Sequence, residues 1–184
     1  MKSASGKRIQ EIETGEFARI SGTVYACGEI LRAPLSGRKC VYYHVRVTEG
    51  GRRNRRTIIE EEMMADVVLK YGRDYAVIDC DEPQTYLVTD REYRSHTFKD
   101  ATPELEAFLA RHEQESSGFF GKRNLQYEEA ILEPGELFTV AGYATWLPVK
   151  STKLKIPSNR VLFIRAGKEV DLFITDEPDA QVKP

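Results

Sequence analysis

The stretch Glu133-Pro-Gly-Glu-Leu-Phe-Thr-Val-Ala-Gly142 decides the fold, because an earlier stretch of the chain repeats its pattern. Glu13-Thr-Gly-Glu-Phe-Ala-Arg-Ile-Ser-Gly22 shares its acidic and glycine turn, its apolar positions and its final glycine. In each copy a glycine turn leads into a strand, and the interior glycine permits a bulge, a sharp bend or a close backbone approach, as small curved barrels need. The spacing between the two copies along the chain is too long for a solenoid repeat. The pattern therefore predicts two equivalent strands of a barrel or two related lobes, with chance similarity as the remaining alternative.

The rest of the chain is typical of a mainly β protein, since short β-branched and aromatic runs are broken by Gly, Pro and Asp. We predict a barrel-like or sandwich-like fold of strongly curved antiparallel strands. The last two strands are expected to form a hairpin, with Gly167 at a positive-φ position of its loop. The predicted strands cover residues 17–26, 40–48, 56–61, 66–70, 75–80, 85–89, 126–132, 137–146, 160–164 and 170–175.

One short helix is predicted near residues 102–115. Thr102 is a good N-cap and Pro103 suits the first helical position. An apolar stripe at helical spacing follows, formed by Leu105, Phe108 and Leu109.

The length of 184 residues, with 41% hydrophobic side chains, is enough for one sizeable core. We predict a single domain over residues 13–178, with an N-terminal tail at 1–12 and a C-terminal tail at 179–184. Two lobes, with the helix and a linker at 102–125 between them, are the alternative.

Charge and cysteine content exclude several classes of protein. A net charge of −2 argues against coating nucleic acid or an anionic membrane by bulk electrostatics, although local basic patches remain possible. The three cysteines form no C-x-x-C pair, which disfavours a disulfide framework or a zinc finger. No run approaches the roughly 20 apolar residues that span a bilayer, and the N-terminus lacks the apolar core of a signal peptide. We therefore expect the chain as given to be soluble, and cytoplasmic unless it belongs to a membrane-anchored protein.

A candidate recognition loop lies in Leu31-Arg-Ala-Pro-Leu-Ser-Gly-Arg-Lys-Cys-Val-Tyr-Tyr43. Proline restricts its own backbone and that of the preceding residue, and Ser-Gly permits a sharp reversal, so the loop should be rigid. The only tryptophan, Trp146, follows a predicted strand and either plugs the barrel mouth or anchors a partner. If Trp146 lies beside the loop, the two would form one recognition surface. The candidate binding residues are Pro34, Leu35, Ser36, Gly37, Arg38 and Trp146.

A basic cluster follows Gly50-Gly51 at the tip of a predicted hairpin. Its arginines could contact anionic lipid headgroups, phosphates or an acidic partner. The favoured alternative is a charge-compensated, solvated hairpin, because Glu60-Glu61-Glu62 lie within reach on the returning strand. The possible anionic-surface contacts are Arg52, Arg53, Arg55 and Arg56.

Catalytic and metal sites are not indicated. His44, His96 and His112 are far apart and lack paired ligand spacing. Ser36 lacks the G-x-S-x-G setting of a hydrolase nucleophile. The carboxylates Asp79, Asp81 and Glu82 are typical of a solvated turn. We predict no catalytic residues, no metal and no cofactor.

Three segments taken in order resemble the GIDE domain, also called the BAM or "beside a membrane" domain, of mitochondrial membrane-anchored ubiquitin ligases and their plant and bacterial relatives. The segments are Ala33-Pro-Leu-Ser-Gly-Arg-Lys-Cys-Val-Tyr-Tyr43, the run Tyr127-Glu-Glu-Ala-Ile-Leu-Glu-Pro-Gly-Glu-Leu-Phe-Thr-Val-Ala-Gly-Tyr-Ala144, and the closing Leu162-Phe-Ile with Leu172-Phe-Ile-Thr-Asp176. The resemblance covers residues 13–178.

The resemblance implies a non-enzymatic β-rich module that binds a partner or senses a ligand near a membrane, as a domain of a membrane-anchored protein. The family's ligases add a RING, which requires clustered Cys and His ligands. Three scattered Cys and three scattered His do not supply them, so ubiquitin-ligase activity is not expected. The partner is expected to be an unidentified protein or lipid. The alternatives are an OB-like nucleic-acid-binding barrel, which the overall acidity disfavours, and a structural or assembly domain that self-associates.

Overall fold

The structure is a computed structural model that describes residues 6–51, 53–79, 84–86, 91–95, 102–118, 121–168 and 172–177. Its strands are β1 (Phe17–Ala26), β2 (Leu31–Arg32), β3 (Lys39–Cys40), β4 (Tyr42–Glu49), β5 (Arg56–Met64), β6 (Val67–Tyr71), β7 (Asp74–Asp79), β8 (Gln84–Tyr86), β9 (Arg91–Ser95), β10 (Ser117–Gly118), β11 (Gly121–Lys122), β12 (Leu125–Leu132), β13 (Leu137–Pro148), β14 (Arg160–Arg165) and β15 (Phe173–Thr175). The helix α1 is Pro103–Arg111, and 3-10 turns lie at Ile9–Glu11 and Val149–Ser151.

The chain divides into two compact units. The first, here called the barrel unit, comprises Met1–Ile30, Ala65–Val88 and Leu132–Pro184. The second, here called the hairpin unit, comprises Leu31–Met64 and Thr89–Ile131. Each unit is therefore assembled from segments that are separated along the chain.

The barrel unit contains a closed five-stranded barrel in the order β1-β6-β7-β14-β13, which closes through pairing of β13 with β1. The prediction of a mainly β, barrel-like fold is therefore confirmed, and the described residues contain one short α-helix, as predicted. One pair of strands in the barrel, β7 and β14, is parallel, whereas the prediction had antiparallel strands. Parallel neighbours need a crossover rather than a hairpin, and here more than half of the hairpin unit and β13 intervene in the sequence.

The connectivity of this barrel is that of an OB-type Greek key. Strands β1, β6 and β7 form an antiparallel meander. Strand β14 then pairs parallel with β7 and antiparallel with β13, and β13 returns antiparallel to β1.

The repeated turn-and-strand pattern corresponds to two equivalent strands of this barrel. Ile20 pairs directly with Val140, its counterpart in the repeat. Gly15 and Gly135 take nearly the same backbone angle, with φ of 91° and 92°. The amide of Gly15 donates to the carbonyl of Ala144 at 2.8 Å, and that of Gly135 donates to the carbonyl of Val24 at 2.9 Å. Each turn thus forms a hydrogen bond to the partner strand at one end of the β1–β13 ladder, and the first of the alternatives, two equivalent strands of a barrel, is confirmed.

Alternate residues of the five strands fill the barrel lumen, because paired residues share a face of the sheet. Gly22 lies on this face, and an added Cβ would lie 2.6 Å from the backbone oxygen of Lys70. Close strand approach therefore requires glycine there, as the sequence predicted. The buried lumen side chains are Ala18, Ile20, Val24, Leu69, Ala76, Ile78, Phe138, Val140, Ala144, Leu162 and Ile164.

The hairpin unit is built on a four-stranded sheet in the order β5-β4-β12-β9. Helix α1 belongs to this unit and begins as predicted, with the Thr102 hydroxyl accepting from the amide of Leu105 at 3.4 Å. The predicted stripe of Leu105, Phe108 and Leu109 is the buried face of the helix.

The predicted hairpin of the last two strands is wrong. Strand β14 pairs with β7 and β13, whereas β15 pairs with β13 and β8. Gly167 is not among the glycines with positive φ. Its role is close packing, since an added Cβ would overlap the ring of Tyr143.

Candidate binding surfaces

The predicted recognition loop is a closed turn of the hairpin unit between β2 and β3. The amide of Ala33 donates to the carbonyl of Arg38 at 2.9 Å, and the amide of Gly37 donates to the carbonyl of Ala33 at 2.9 Å. Gly37 has φ of 68°, a conformation that glycine adopts without steric cost. The loop's backbone is therefore held in one shape by its own hydrogen bonds.

A buried carboxylate anchors this loop from β12. One carboxylate oxygen of Glu129 accepts from the amide of Leu35 at 2.8 Å and from that of Ser36 at 3.4 Å. Glu129 is 0% exposed, and the Leu35 side chain is also buried. The loop thus presents Gly37 to solvent and leaves Pro34, Ser36 and Arg38 half-buried.

Glu129 is a residue that the sequence analysis missed. Its signal was the alternation within β12, where Tyr127, Glu129 and Ile131 share one face of the strand. All three are buried. An acidic residue on a buried face of a strand indicates a specific partner, because burial of an unpaired charge is costly.

Trp146 lies in the barrel unit, whereas the recognition loop lies in the hairpin unit. Its indole N–H donates to the carbonyl of Ile12 at 2.8 Å, and its amide donates to the Thr14 hydroxyl at 3.1 Å. The Arg160 guanidinium stacks over the ring at 4.1 Å from its centroid. The half-buried ring is therefore held on its edge and on one face.

Residues 1–12, interpreted as a tail, include the buried Ile9 and Ile12.

The basic cluster occupies the tip of the β4–β5 hairpin, as predicted. Arg52 lies outside the described residues. Arg53 and Arg55 are exposed, and neither has an ion-pair partner among the residues that the structure describes. Arg56 is also exposed, but it pairs with Glu49 at 2.8 Å.

Glu49 also pairs with a second arginine. The guanidinium of Arg123 lies 2.7 Å from the carboxylate of Glu49. The hydrogen bonds from Arg123 and Arg56 lower the pKa of Glu49 from 4.5 to about 2. Glu49 therefore stays ionised near neutral pH, and its charge is shared by two cations.

Among the described residues, Glu60, Glu61 and Glu62 form no ion pair with the arginines of the tip, so for these residues the favoured alternative of the sequence analysis is wrong in its choice of partners. The register of the hairpin places these glutamates away from the tip, with Glu62 opposite His44 and Glu60 opposite Arg46. The Glu60 carboxylate binds His44 at 3.0 Å and Arg46 at 2.9 Å. The Glu62 carboxylate accepts from the Tyr42 hydroxyl at 2.9 Å.

The Glu61 carboxylate joins β5 to the end of α1. It accepts from the Tyr43 hydroxyl at 2.7 Å and lies 3.0 Å from the Arg111 guanidinium and 2.7 Å from the His112 imidazole. Burial opposes ionisation, but the hydrogen bonds from Tyr43 and His112 together with the charge of Arg111 outweigh it and lower the pKa of Glu61. Burial and the bond to Glu61 raise the pKa of Tyr43.

The outer face of β6 and β7 is covered by residues 149–160, here called the strap. Ile156 of the strap belongs to a buried apolar cluster with Val68 of β6 and with Tyr75 and Val77 of β7. Val149 and Leu154 pack against the same cluster. The strap connects β13 to β14.

No group of three potential metal ligands occurs among the described residues. Of the predicted candidates within the described residues, Ser36, His44 and His112 lie in the hairpin unit and Asp79 lies in the barrel unit. His96, Asp81 and Glu82 lie outside the described residues.

Comparison with protein-family models, with curated proteins and with solved structures found no match to this chain. The resemblance to the GIDE domain therefore stays a prediction. None of the helices in the described part of the chain has the length and apolar character needed to cross a membrane.

Proposed function

We propose that this chain is a non-enzymatic interaction module that works beside a membrane and contacts anionic headgroups through the arginines of its β4–β5 hairpin. The observation that carries the proposal is the exposure of Arg53 and Arg55 without an ion-pair partner among the described residues. The membrane setting is what the resemblance to the GIDE domain implies.

The chemistry of the tip suits phosphate groups. Arginine presents a planar set of donors that binds phosphate in a bidentate manner. Arg56 and Arg123 form ion pairs with Glu49. Arg53 and Arg55 form no ion pair within the described part of the chain and can therefore bind an external anion.

The recognition loop supports the binding role in a second way. Its backbone is closed by internal hydrogen bonds and anchored by Glu129, so little conformational entropy is lost when a partner binds. A protein partner is the occupant that we propose for this loop.

A non-enzymatic role fits the use of the titratable groups. The His44 imidazole is bound to Glu60, and the His112 imidazole is bound to Glu61. Neither imidazole is paired with a serine or cysteine nucleophile in these contacts.

The test is binding to phosphatidylserine-containing vesicles, measured by co-sedimentation against neutral phosphatidylcholine vesicles. Each basic residue near an anionic surface contributes about 1 kcal/mol, so the pair Arg53→Gln/Arg55→Gln should weaken binding ~25-fold. The matched control is Arg8→Gln/Arg165→Gln, which removes two exposed arginines elsewhere. Equal binding of the tip variant and the control would refute the proposed contact.

A nucleic-acid binder is the second candidate, because the barrel has OB-type connectivity. Single strands usually stack on exposed rings. Tyr75 is only 4% exposed, and Lys70 lies over the rings of both Tyr25 and Tyr75. We therefore rank this function lower. Absence of binding to a thymidine oligonucleotide at low salt removes it.

A further inference from the structure

The strap lies in a strongly basic part of the barrel unit. From Leu137 to Lys168 the chain has six basic residues and no acidic residue. Four of them, Lys150, Lys153, Lys155 and Arg160, belong to the strap. This local excess is hidden in the composition, because the whole chain has a net charge of −2.

Apolar side chains hold the strap on the barrel. Ile156 is 7% exposed, and it packs with Val68, Val77 and Val161. The strap lysines lie between the apolar residues that contact the barrel, Val149, Leu154 and Ile156, and the lysines are exposed. The strap therefore has one face toward the barrel and one cationic face toward solvent.

Local hydrogen bonds give the strap a defined backbone. The Thr152 hydroxyl donates to the carbonyl of Val149 at 2.8 Å, and the Ser158 hydroxyl donates to the carbonyl of Arg160 at 2.7 Å. The amide of Val149 donates to the carbonyl of Asn159 at 3.0 Å, which closes the base of the strap. The lysines are consequently displayed from a supported segment rather than from a free loop.

The strap lysines have no ion-pair partner within the described ranges of the chain. Lys150, Lys153 and Lys155 are all exposed. Arg160 is exposed as well and stacks on Trp146. Three cations on one short segment repel each other unless an external anion neutralises them.

We propose that the strap is a second anionic contact surface, carried by the barrel unit, and that its occupant is a membrane surface of anionic lipid. This inference rests on the proposed function for the kind of partner, anionic lipid. The strap residues themselves take no part in the proposed hairpin contact. Clusters of four to eight basic residues beside a membrane are typical of segments that bind anionic lipid.

Lipid suits this site better than nucleic acid does. The strap exposes lysines, which are compact point charges without the planar donor geometry of arginine. The Arg160 guanidinium stacks on one face of Trp146, and Tyr75 is buried, so neither ring offers an open face for a base. A fluid surface of phosphates needs charge alone, whereas single strands also need rings for stacking.

The experiment measures binding of the full chain to phosphatidylserine-containing vesicles and to a thymidine oligonucleotide. The variant Lys150→Gln/Lys153→Gln/Lys155→Gln should bind the vesicles on the order of 100-fold more weakly, from ~5-fold per lysine. All three positions are exposed, so its thermal midpoint should match that of wild type. The matched control is Arg8→Gln/Lys39→Gln/Lys168→Gln, again three exposed cations, which should bind like wild type.

The outcomes separate this inference from the proposed function. If the strap variant loses vesicle binding while Arg53→Gln/Arg55→Gln does not, the strap contact stands and the hairpin contact fails. Wild-type vesicle binding by the strap variant overturns the inference. Loss of oligonucleotide binding without loss of vesicle binding also overturns it, in favour of nucleic acid.

Discussion

At the scale of single residues, one buried carboxylate determines the shape of the recognition loop. The loop residues indicated a rigid turn through Pro34 and Gly37, and that turn is present. The anchor, Glu129, lies far away in the sequence on β12. No feature of the loop itself points to it, because the contact exists only when the two segments meet.

Replacing Glu129 by alanine should destabilise the protein by roughly 1–3 kcal/mol, because the amides of Leu35 and Ser36 lose their acceptor. Urea unfolding measures the free energy, and hydrogen exchange should show faster exchange of the Leu35 amide. The neighbouring Glu128→Ala is the control, since Glu128 is only half-buried and bonds the Gln126 side chain. Equal stability of the two variants would contradict an anchoring role.

Glu49 makes stability depend on pH. Its pKa in the folded chain is about 2, below the ordinary 4.5. A lowered pKa contributes stability that is fully present above the ordinary pKa and is lost as the pH falls toward the folded value. The free energy of unfolding should therefore fall between pH 4.5 and about 2. The variant Glu49→Gln should flatten this decline in a series of urea titrations, and an unchanged slope would argue against the Arg56 and Arg123 pairs.

At the scale of elements, strands β1 and β13 were predicted well because their signal is local. A turn glycine and an alternating apolar face define each strand, and β1 has the predicted bounds. The helix was predicted for the same reason, through its cap and its stripe. Short strands such as β2, β3, β10 and β11 were missed, since pieces of two residues carry no periodicity.

The variant Gly22→Ala tests the close strand approach in β1. An alanine Cβ would lie 2.6 Å from the backbone oxygen of Lys70 and would overlap the Leu69 side chain. Overpacking of this kind costs about 1–3 kcal/mol, so the thermal midpoint should drop by several degrees. Gly51→Ala is the control, because its Cβ would meet only Asn54, at 3.7 Å. A midpoint equal to that of the control would show that the strands can separate without cost.

The β4–β5 hairpin illustrates how register limits prediction at this scale. The hairpin and its arginine tip follow from the glycine pair and the flanking strands. The partners of Glu60, Glu61 and Glu62 do not follow from the sequence. A register shift exists between Val47 and Thr48, and Arg111 at the end of α1 and its C-cap His112 bind Glu61. Opposite charges that are close along the sequence therefore did not predict which residues form ion pairs.

At the scale of the whole molecule, the barrel closes through pairings between distant segments. Strands β7 and β14 pair in parallel although β13 separates them in sequence. A local pattern of alternating strands cannot specify such a crossover. The same pairing brings the strap over β6 and β7, where its apolar residues become anchors.

Vesicle binding by the intact chain should depend strongly on salt. The net charge is −2, so attraction to an anionic membrane can come only from local basic surfaces. The screening length falls from roughly 10 Å at 0.1 M salt to roughly 3 Å at 1 M. Co-sedimentation with phosphatidylserine-containing vesicles should therefore disappear over this range. Binding that persists at high salt would point to apolar insertion and contradict the electrostatic proposals.

By itself, the sequence determined the mainly β class, the two equivalent strands with their glycine turns, the capped helix and the basic hairpin tip. Each of these depends on residues that are close along the chain. The tertiary structure alone decided the closed barrel with its parallel pair, the anchoring of the loop by Glu129 and the membership of Trp146 and that loop in different units. It also decided the placement of the strap. These features depend on pairings between remote segments, which local propensity and periodicity do not encode.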